Sequence, residues 1–258
     1  MPWNGRSNSC DLRKKSNLRF VLSYGAGVNS TALMIYLIRI QKRLDHVVFA
    51  DTGGELPETY KYLFAAEKYL SEHDIPFSIV RSKHGTLYDT CARRRVIPSV
   101  MWRWSTRDFK VTPIYKFYRS LGCHVYQYIG IAYDELERMK DSRANYVTNL
   151  YPLVDAKIDR IKCANIIREE GLPLPVKSGC FFCPFNNMER WQWLYENHPE
   201  LYRRAILLEE QSKHFPRQHL AEPANGATLR VLSKLFKRHE KLPILTQTYS
   251  PCGGECMT

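Results

Sequence analysis

The stretch Gly25-Ala26-Gly27-Val28-Asn29-Ser30-Thr31 joins an apolar run, Leu18 to Ser23, to a segment of helical spacing. Small residues at a strand-to-helix junction let backbone N–H groups converge on an anion. The start of the helix adds partial positive charge, and Ser30 and Thr31 bring hydroxyl donors. The chemistry on offer is phosphate binding. The spacing is not the Walker pattern, since no Gly-Lys-Ser/Thr follows, and it is not G-x-G-x-x-G. Taken alone, the same residues would also serve a tight turn with no ligand.

Sulfur is the second chemical resource, with eight cysteines in the chain. Cys180-Phe181-Phe182-Cys183-Pro184 is a Cys-x-x-Cys knuckle, half of a tetrahedral thiolate site. Cys163, or the tail cysteines Cys252 and Cys256, would complete it, so Cys163, Cys180, Cys183 and Cys256 are the candidate metal ligands. Zinc and an iron–sulfur cluster both accept four cysteines. Two thiols buried near a turn need no metal at all. The glycines of Cys252-Gly253-Gly254-Glu255-Cys256 would also let a tail thiol visit a site and relay sulfur as a persulfide.

These groups need elements to hold them. Leu18 to Ser23, His46 to Ala50, Pro76 to Val80 and Val125 to Ile131 read as strands. Asn29 to Leu44 has helical spacing, and Pro57 opens a second helix through Leu70. Strands alternating with helices imply an α/β fold, a doubly wound, mostly parallel sheet with helices on both faces. Ligands in such folds sit beyond the carboxyl ends of the strands. Three polar segments fall there: the opening loop, Asp51 to Glu55, and Gly130 to Glu135. The expected organisation is a basic arm over residues 1–17, a nucleotide-binding core over 18–150, and a mostly helical, cysteine-bearing region over 151–258.

Four stretches in this order resemble the PP-loop ATP pyrophosphatases, in the branch that includes phosphoadenosine-phosphosulfate (PAPS) reductase. Gly25 to Ser30 occupies an SGGxDS-like pattern, and Asp51-Thr52-Gly53-Gly54-Glu55-Leu56-Pro57-Glu58-Thr59 matches DTGxxxPET closely. Ser105-Thr106-Arg107-Asp108-Phe109-Lys110-Val111-Thr112-Pro113 fits a Cys-Thr-x-x-x-Lys-x-x-Pro stretch except at its first residue. Gly130-Ile131-Ala132-Tyr133-Asp134-Glu135, with Arg138 following, is similar to GIRxDES. The resemblance implies ATP with Mg²⁺, cleavage at the α-phosphate to AMP and pyrophosphate, and an adenylylated substrate. It implies Ser23, Tyr24, Gly25, Ala26, Gly27, Val28, Asn29 and Ser30 around the phosphates, with Asp51, Thr52 and Gly130 completing the nucleotide site. Lys110 and Arg107 would be cationic clamps, and Asp134 and Glu135 would position substrate or metal. Asn29 stands where the family usually has Asp, which keeps hydrogen-bonding capacity and removes a charge. Iron–sulfur members of the branch pair a Cys-Cys dipeptide with a downstream Cys-x-x-Cys. Here the dipeptide falls on Trp104-Ser105, so the cluster does not carry over as it stands.

Charge points to the partner. The formal net charge is +12, from 38 Lys and Arg against 26 Asp and Glu. Arg93-Arg94-Arg95, Arg203-Arg204, Arg13-Lys14-Lys15 and Lys234 to Lys241 carry much of it. Such an excess suits a polyanion such as nucleic acid, DNA or tRNA. Trp102 and Trp104, interleaved with Arg103, are candidates for polynucleotide contact, whereas Trp191, Trp193, Tyr195 and Tyr202 are expected to pack helices. No run of about 18 apolar residues exists, so no membrane span is expected. The polar, basic N-terminus is not a secretory signal, which favours a reducing cytoplasm over a disulfide framework.

The function expected from these features is an ATP pyrophosphatase that activates an oxygen for replacement by sulfur. The DNA phosphorothioation enzymes of the branch are the similar case, with a cysteine desulfurase or another sulfur donor as partner. The alternatives are a sulfonucleotide reductase using Cys256, and a degenerate module that binds nucleic acid without turnover.

Overall fold

The computed structural model describes residues 18–99, 103–215, 217–221 and 227–238. The N-terminal arm, Trp102, Cys252 and Cys256 lie outside them. Five strands form one all-parallel sheet: β1 (Leu18–Tyr24), β2 (His46–Asp51), β3 (Phe77–Arg81), β4 (His124–Ile129) and β5 (Val147–Leu150), in the order β3-β2-β1-β4-β5.

Alternation along the strands splits their side chains between two layers. Leu22 and Tyr24 of β1 and Val47 and Phe49 of β2 join a core with α1 (Val28–Arg39), α2 (Pro57–Glu72) and α7 (Arg160–Glu169). Val21, Val48, Ala50 and Val125 face the other way, against Ile114 and Tyr118 of α5 (Thr112–Ser120). Helices thus cover both faces, as the alternation of apolar segments predicts.

The chain order reverses between β2 and β4 on either side of β1, which places the topological switch at the loops following β1 and β4. Helix α1 stops at Arg39 and does not run to Leu44. Gln41 adopts φ 52°, and the N–H groups of Gln41 and Lys42 bond back to the carbonyls of Ile38 and Leu37. This is a left-handed C-terminal cap with glutamine where glycine is usual. Strand β5 was not foreseen, because Val-Thr-Asn-Leu is four residues long and lacks an apolar run.

A third core unites α3 (Leu87–Arg94), α8 (Met188–Asn197), α9 (Pro199–Glu210) and α10 (Leu229–Lys237) with Phe181 and Phe182. Trp191 and Tyr202 are fully buried there, and Trp193 and Tyr195 pack against them, as expected of the aromatic cluster. Trp104 is buried in the same core under the Arg94 guanidinium, so it is not a surface for bases. Short helices α4 (Trp104–Thr106) and α6 (Pro152–Asp155) complete the set.

Candidate functional site

The loop after β1 is held by its own side chains. The Ser30 hydroxyl donates to the Gly27 carbonyl at 3.1 Å and accepts the Gly27 N–H at 3.2 Å, closing the start of α1. Thr31 pairs with the buried Tyr24 hydroxyl at 3.0 Å. Both hydroxyls expected to meet a ligand therefore also brace the turn. Tyr24 is fully buried, and burial pushes its phenol well above its usual range, so it is a core residue, not a ligand. The left-handed position is Ala26, at φ 53°, flanked by two glycines that do not take it. Gly27 is needed for space: a Cβ there would lie 2.8 Å from Ser178 Oγ. What remains for an anion is the backbone of Gly25 to Asn29 and the unsatisfied N–H groups of the first helical turn.

The loop after β4 touches this turn directly. A Cβ on Gly130 would sit 2.7 Å from Ser30 Cα and 2.8 Å from Ser30 N. Gly130 thus serves close approach of two backbones at the switch point. Beyond it, a short 3₁₀ turn, Tyr133–Arg138, sends its two acids apart. Glu135 accepts from Asn29 Nδ2 at 2.9 Å and pairs with Arg138 at 3.0 Å. Asp134 accepts the Arg160 N–H at 3.0 Å, at the start of α7, and so does not join Glu135 at the loop. Asn29 Oδ1 is buried and has no hydrogen-bond partner among the described residues.

The loop after β2 folds around its own side chains. Asp51 accepts from the Gly53 N–H and the Tyr60 hydroxyl, each at 2.8 Å, and from Arg81 at 2.9 Å. Its acceptors shape the turn rather than face a nucleotide. Thr52 donates to Glu55 at 3.0 Å, accepts the Gly54 N–H at 3.2 Å, and lies 3.3 Å from Cys180 Sγ. With its one proton given to Glu55, its oxygen is the acceptor for the Cys180 thiol.

Lys110 reaches this group, 3.9 Å from Glu55, from a π-helical turn, Arg107–Val111. Such turns recur at functional sites because they re-aim a side chain. Arg107 is exposed and bonds to its neighbour Asp108 at 2.7 Å, so the clamp contains Lys110 without Arg107.

The Cys-x-x-Cys knuckle docks on the same loop. The Phe181 N–H donates to the Gly54 carbonyl at 2.8 Å, Glu55 and Cys180 form an antiparallel bridge, and Cys183 N–H closes the turn onto Cys180 O at 3.0 Å. A cavity of about 40 Å³ lies beside it, lined by Thr52, Arg103, Ser105, Lys110, Cys180 and Cys183 among others. Ser105, at the position of the family's dipeptide, does face the knuckle. The wall then offers two thiols and the hydroxyls of Thr52, Ser99, Ser105 and Thr106, not the four thiolates an iron–sulfur cluster or a structural zinc takes. No group of three or more His, Cys, Asp or Glu able to hold a metal occurs among the described residues. Neither zinc nor a cluster fits the described residues.

Cys163 is not at the knuckle. It is fully buried where α7 packs on α1. Burial, with Asp134 and Asp159 nearby, pushes its thiol up to about 12, and burial does the same to Cys91. Both should resist a thiol reagent at pH 8, reacting about 10³ times more slowly than an ordinary cysteine of pKa about 8.5. Mass mapping of iodoacetamide-labelled native protein checks this, and rapid labelling of Cys163 would contradict the placement.

The sequence did not single out Arg103 as a wall residue, nor Ser178 and Arg138 as packing partners. Ser178 carried no motif, and its place beside Gly27 depends on a long-range fold-back. Arg138 was noted as trailing the acidic pattern, and its spacing of three from Glu135 is the signal for the pair.

The profile of the phosphoadenosine phosphosulfate reductase domain family matches residues 19–165. An uncharacterized protein of Methanocaldococcus jannaschii is 23% identical over 212 residues, covering 75% of this chain and 42% of that protein. The chain therefore spans less than half the length of that curated relative. Among solved structures, PAPS reductase from Candida auris in a phosphate complex is similar at 16% identity and a TM-score of 0.45, over 64% of this chain and 78% of the other. The U34-tRNA thiolase NcsA from Methanococcus maripaludis, with its [4Fe-4S] cluster, is similar at 18% identity and a TM-score of 0.47, over 86% and 82%.

Proposed function

Since the chain belongs to the phosphoadenosine phosphosulfate reductase domain family, we propose that it is an ATP pyrophosphatase that adenylylates a substrate oxygen so that sulfur can replace it. The observation that carries this is the junction of the β1 and β4 loops. There a bare-backbone turn opens a helix at the switch point of a parallel sheet, with Gly130 packed on Ser30.

The triphosphate lies on the N–H groups of Gly25, Ala26, Val28 and Asn29, the Gly27 N–H being taken by Ser30. Phosphoryl chemistry of this kind needs positioning and charge stabilisation more than covalent help. Glu135, fixed by Asn29 and Arg138, is the carboxylate at the helix start. Mg²⁺ is commonly held by one or two carboxylates plus phosphates, so it would arrive with the nucleotide and use Glu135. Asn29 keeps a second negative charge away from Glu135. Lys110, held near Glu55, faces the far side of the Asp51–Glu55 loop and supplies the cation there.

The acceptor we propose is nucleic acid, in the manner of DNA phosphorothioation, with sulfur from a cysteine desulfurase or another donor. Two basic clusters separate in the sequence support it. Helices α3 and α9 lie side by side, tied by the Tyr88 hydroxyl on the Arg204 carbonyl at 3.3 Å and by Arg95 on the Gln211 carbonyl at 3.1 Å. The two clusters thereby lie on neighbouring helices, with Arg93 and Arg203 exposed. Each phosphate contact contributes about 0.9 to the salt dependence of binding to duplex DNA. The double variant Arg93→Ala, Arg203→Ala should lower that slope by about 2 and weaken binding for every sequence alike. Fluorescence anisotropy across a salt series reads it.

Incubation with ATP, Mg²⁺ and DNA or RNA tests the reaction. AMP and pyrophosphate should appear in equal amounts. ADP and phosphate, or no product with any acceptor, would overturn the assignment.

A further inference from the structure

The cavity beside the knuckle holds a charge the proposed nucleotide reaction does not use. Arg103 has Nε and one Nη nitrogen closed off from solvent, with no hydrogen-bond partner among the described residues. Its guanidinium lies 5.9 Å from the Phe185 ring centroid, another wall of the cavity. An arginine does not shed its proton in a protein, so a half-buried guanidinium with two nitrogens closed off and without acceptors leaves room for an anion to meet them. The other cation here is already answered. Lys110 has the Glu55 carboxylate at 3.9 Å, and Thr52 donates to the same carboxylate oxygen.

The remaining wall is suited to a small anion. Ser105 and Thr106 contribute hydroxyls, and Cys180 and Cys183 contribute thiols. The volume is about 40 Å³. A single water needs about 10–15 Å³, so the space holds a few heavy atoms.

We infer that this cavity is an anion site, taking a tetrahedral oxyanion of sulfate size on the Arg103 guanidinium beside the Cys180–Cys183 pair. It stands in this chain where the resembled branch would place the thiols of a cluster. Ser105 in place of a thiol and the unanswered arginine are the two departures that define it. The site includes Thr52 of the Asp51–Glu55 loop and Lys110, and its occupancy is read separately from ATP cleavage at the glycine turn. The oxyanion can be a free ion or the terminal phosphate of a nucleotide, which the test separates.

The experiment measures the rate at which iodoacetamide labels Cys180 and Cys183 in the full chain, by peptide mass mapping. Sulfate, inorganic phosphate and ATP are titrated separately, with chloride at matched ionic strength as the reference. Sulfate or phosphate should slow labelling at least fivefold and saturably, and Arg103→Gln should raise the concentration needed by tenfold or more. Protection by ATP alone, with the same dependence on Arg103, would assign the oxyanion to the nucleotide's terminus. Protection no better than chloride, or equal protection in Arg103→Gln, would overturn the inference. Should Arg103→Gln fail to fold by circular dichroism, Arg103→Lys, which keeps the charge, must retain protection, and the wild-type comparison of sulfate with chloride stands without any variant. Pyrophosphate release measured in parallel keeps the two ideas apart: its absence bears on the nucleotide turn and leaves the labelling result unaffected.

Discussion

Gly130→Ala should lower the proposed pyrophosphate release by about 100-fold and lower thermal stability in the same protein. The added methyl group would stand 2.7 Å from Ser30 Cα and 2.8 Å from Ser30 N, both backbone atoms that cannot rotate aside. One of two elements has to move: the loop after β4 or the first turn of α1. Overpacking of this kind costs about 1–3 kcal/mol. Its expected cost to activity is larger, because the displaced turn carries the N–H groups proposed to hold the phosphates. Misplacement by about 1 Å is enough for a loss of roughly 100-fold. Differential scanning calorimetry and a pyrophosphate assay on the same preparation read both effects. A variant with native stability and native turnover would show that the two loops do not meet.

Glu209→Ala is the largest stability loss expected in the helical region. Glu209 is fully buried on α9 and accepts the Leu220 N–H at 2.8 Å and the Leu229 N–H at 2.9 Å. The Leu229 carbonyl in turn accepts the Tyr202 hydroxyl at 2.8 Å. One carboxylate thus fastens the start of α10 and the segment before it to α9. Its removal leaves two enclosed N–H groups without acceptors, at about 1–3 kcal/mol each, for a total of roughly 3–5 kcal/mol. Urea denaturation measures it, and a loss under 1 kcal/mol would sink the account.

The same residue has a pH signature. Burial pushes Glu209 up to about 6 from 4.5, with the backbone N–H bonds opposing the rise. Between those two values the folded state holds the proton more tightly than the unfolded chain. Its contribution is therefore fully present below about pH 4.5 and is lost as pH rises through about 6, roughly 2 kcal/mol in all. Glu209→Gln cannot titrate, so the difference in stability between wild type and this variant should change across that window and stay flat above it.

Strands β1 to β4 were readable because they are apolar runs between polar turns, and a sheet buried on both faces demands such runs. The tight turn that opens α1 was readable from small residues at a strand end. Side-chain direction was less legible. Arg107 and Lys110, three apart, would share a face of an α-helix, but the π-helical turn between them shifts the register, so Lys110 turns to Glu55 and Arg107 to solvent. Asp134 and Glu135 are adjacent, and a 3₁₀ turn divides them between α7 and α1. Trp104 beside Arg103 has the composition of a nucleic-acid surface, yet burial against Phe109 and Arg94 decides its role. The union of the Asp51–Glu55 loop with the knuckle could not be read, since no local pattern signals a contact between residues 128 positions apart.

That separation matters while the chain is being made. At about 5–20 residues per second, Cys180 leaves the ribosome roughly 6–25 s after Thr52. Within that interval β3 emerges and can join β1 and β2, while the Gly54 carbonyl and the Thr52 hydroxyl wait for partners the ribosome has not yet delivered. The newborn protein thus pairs its first strands well before it gains its sulfur-lined cavity, so a nascent chain halted before Phe181 would have a sheet with one of its loops still unlatched.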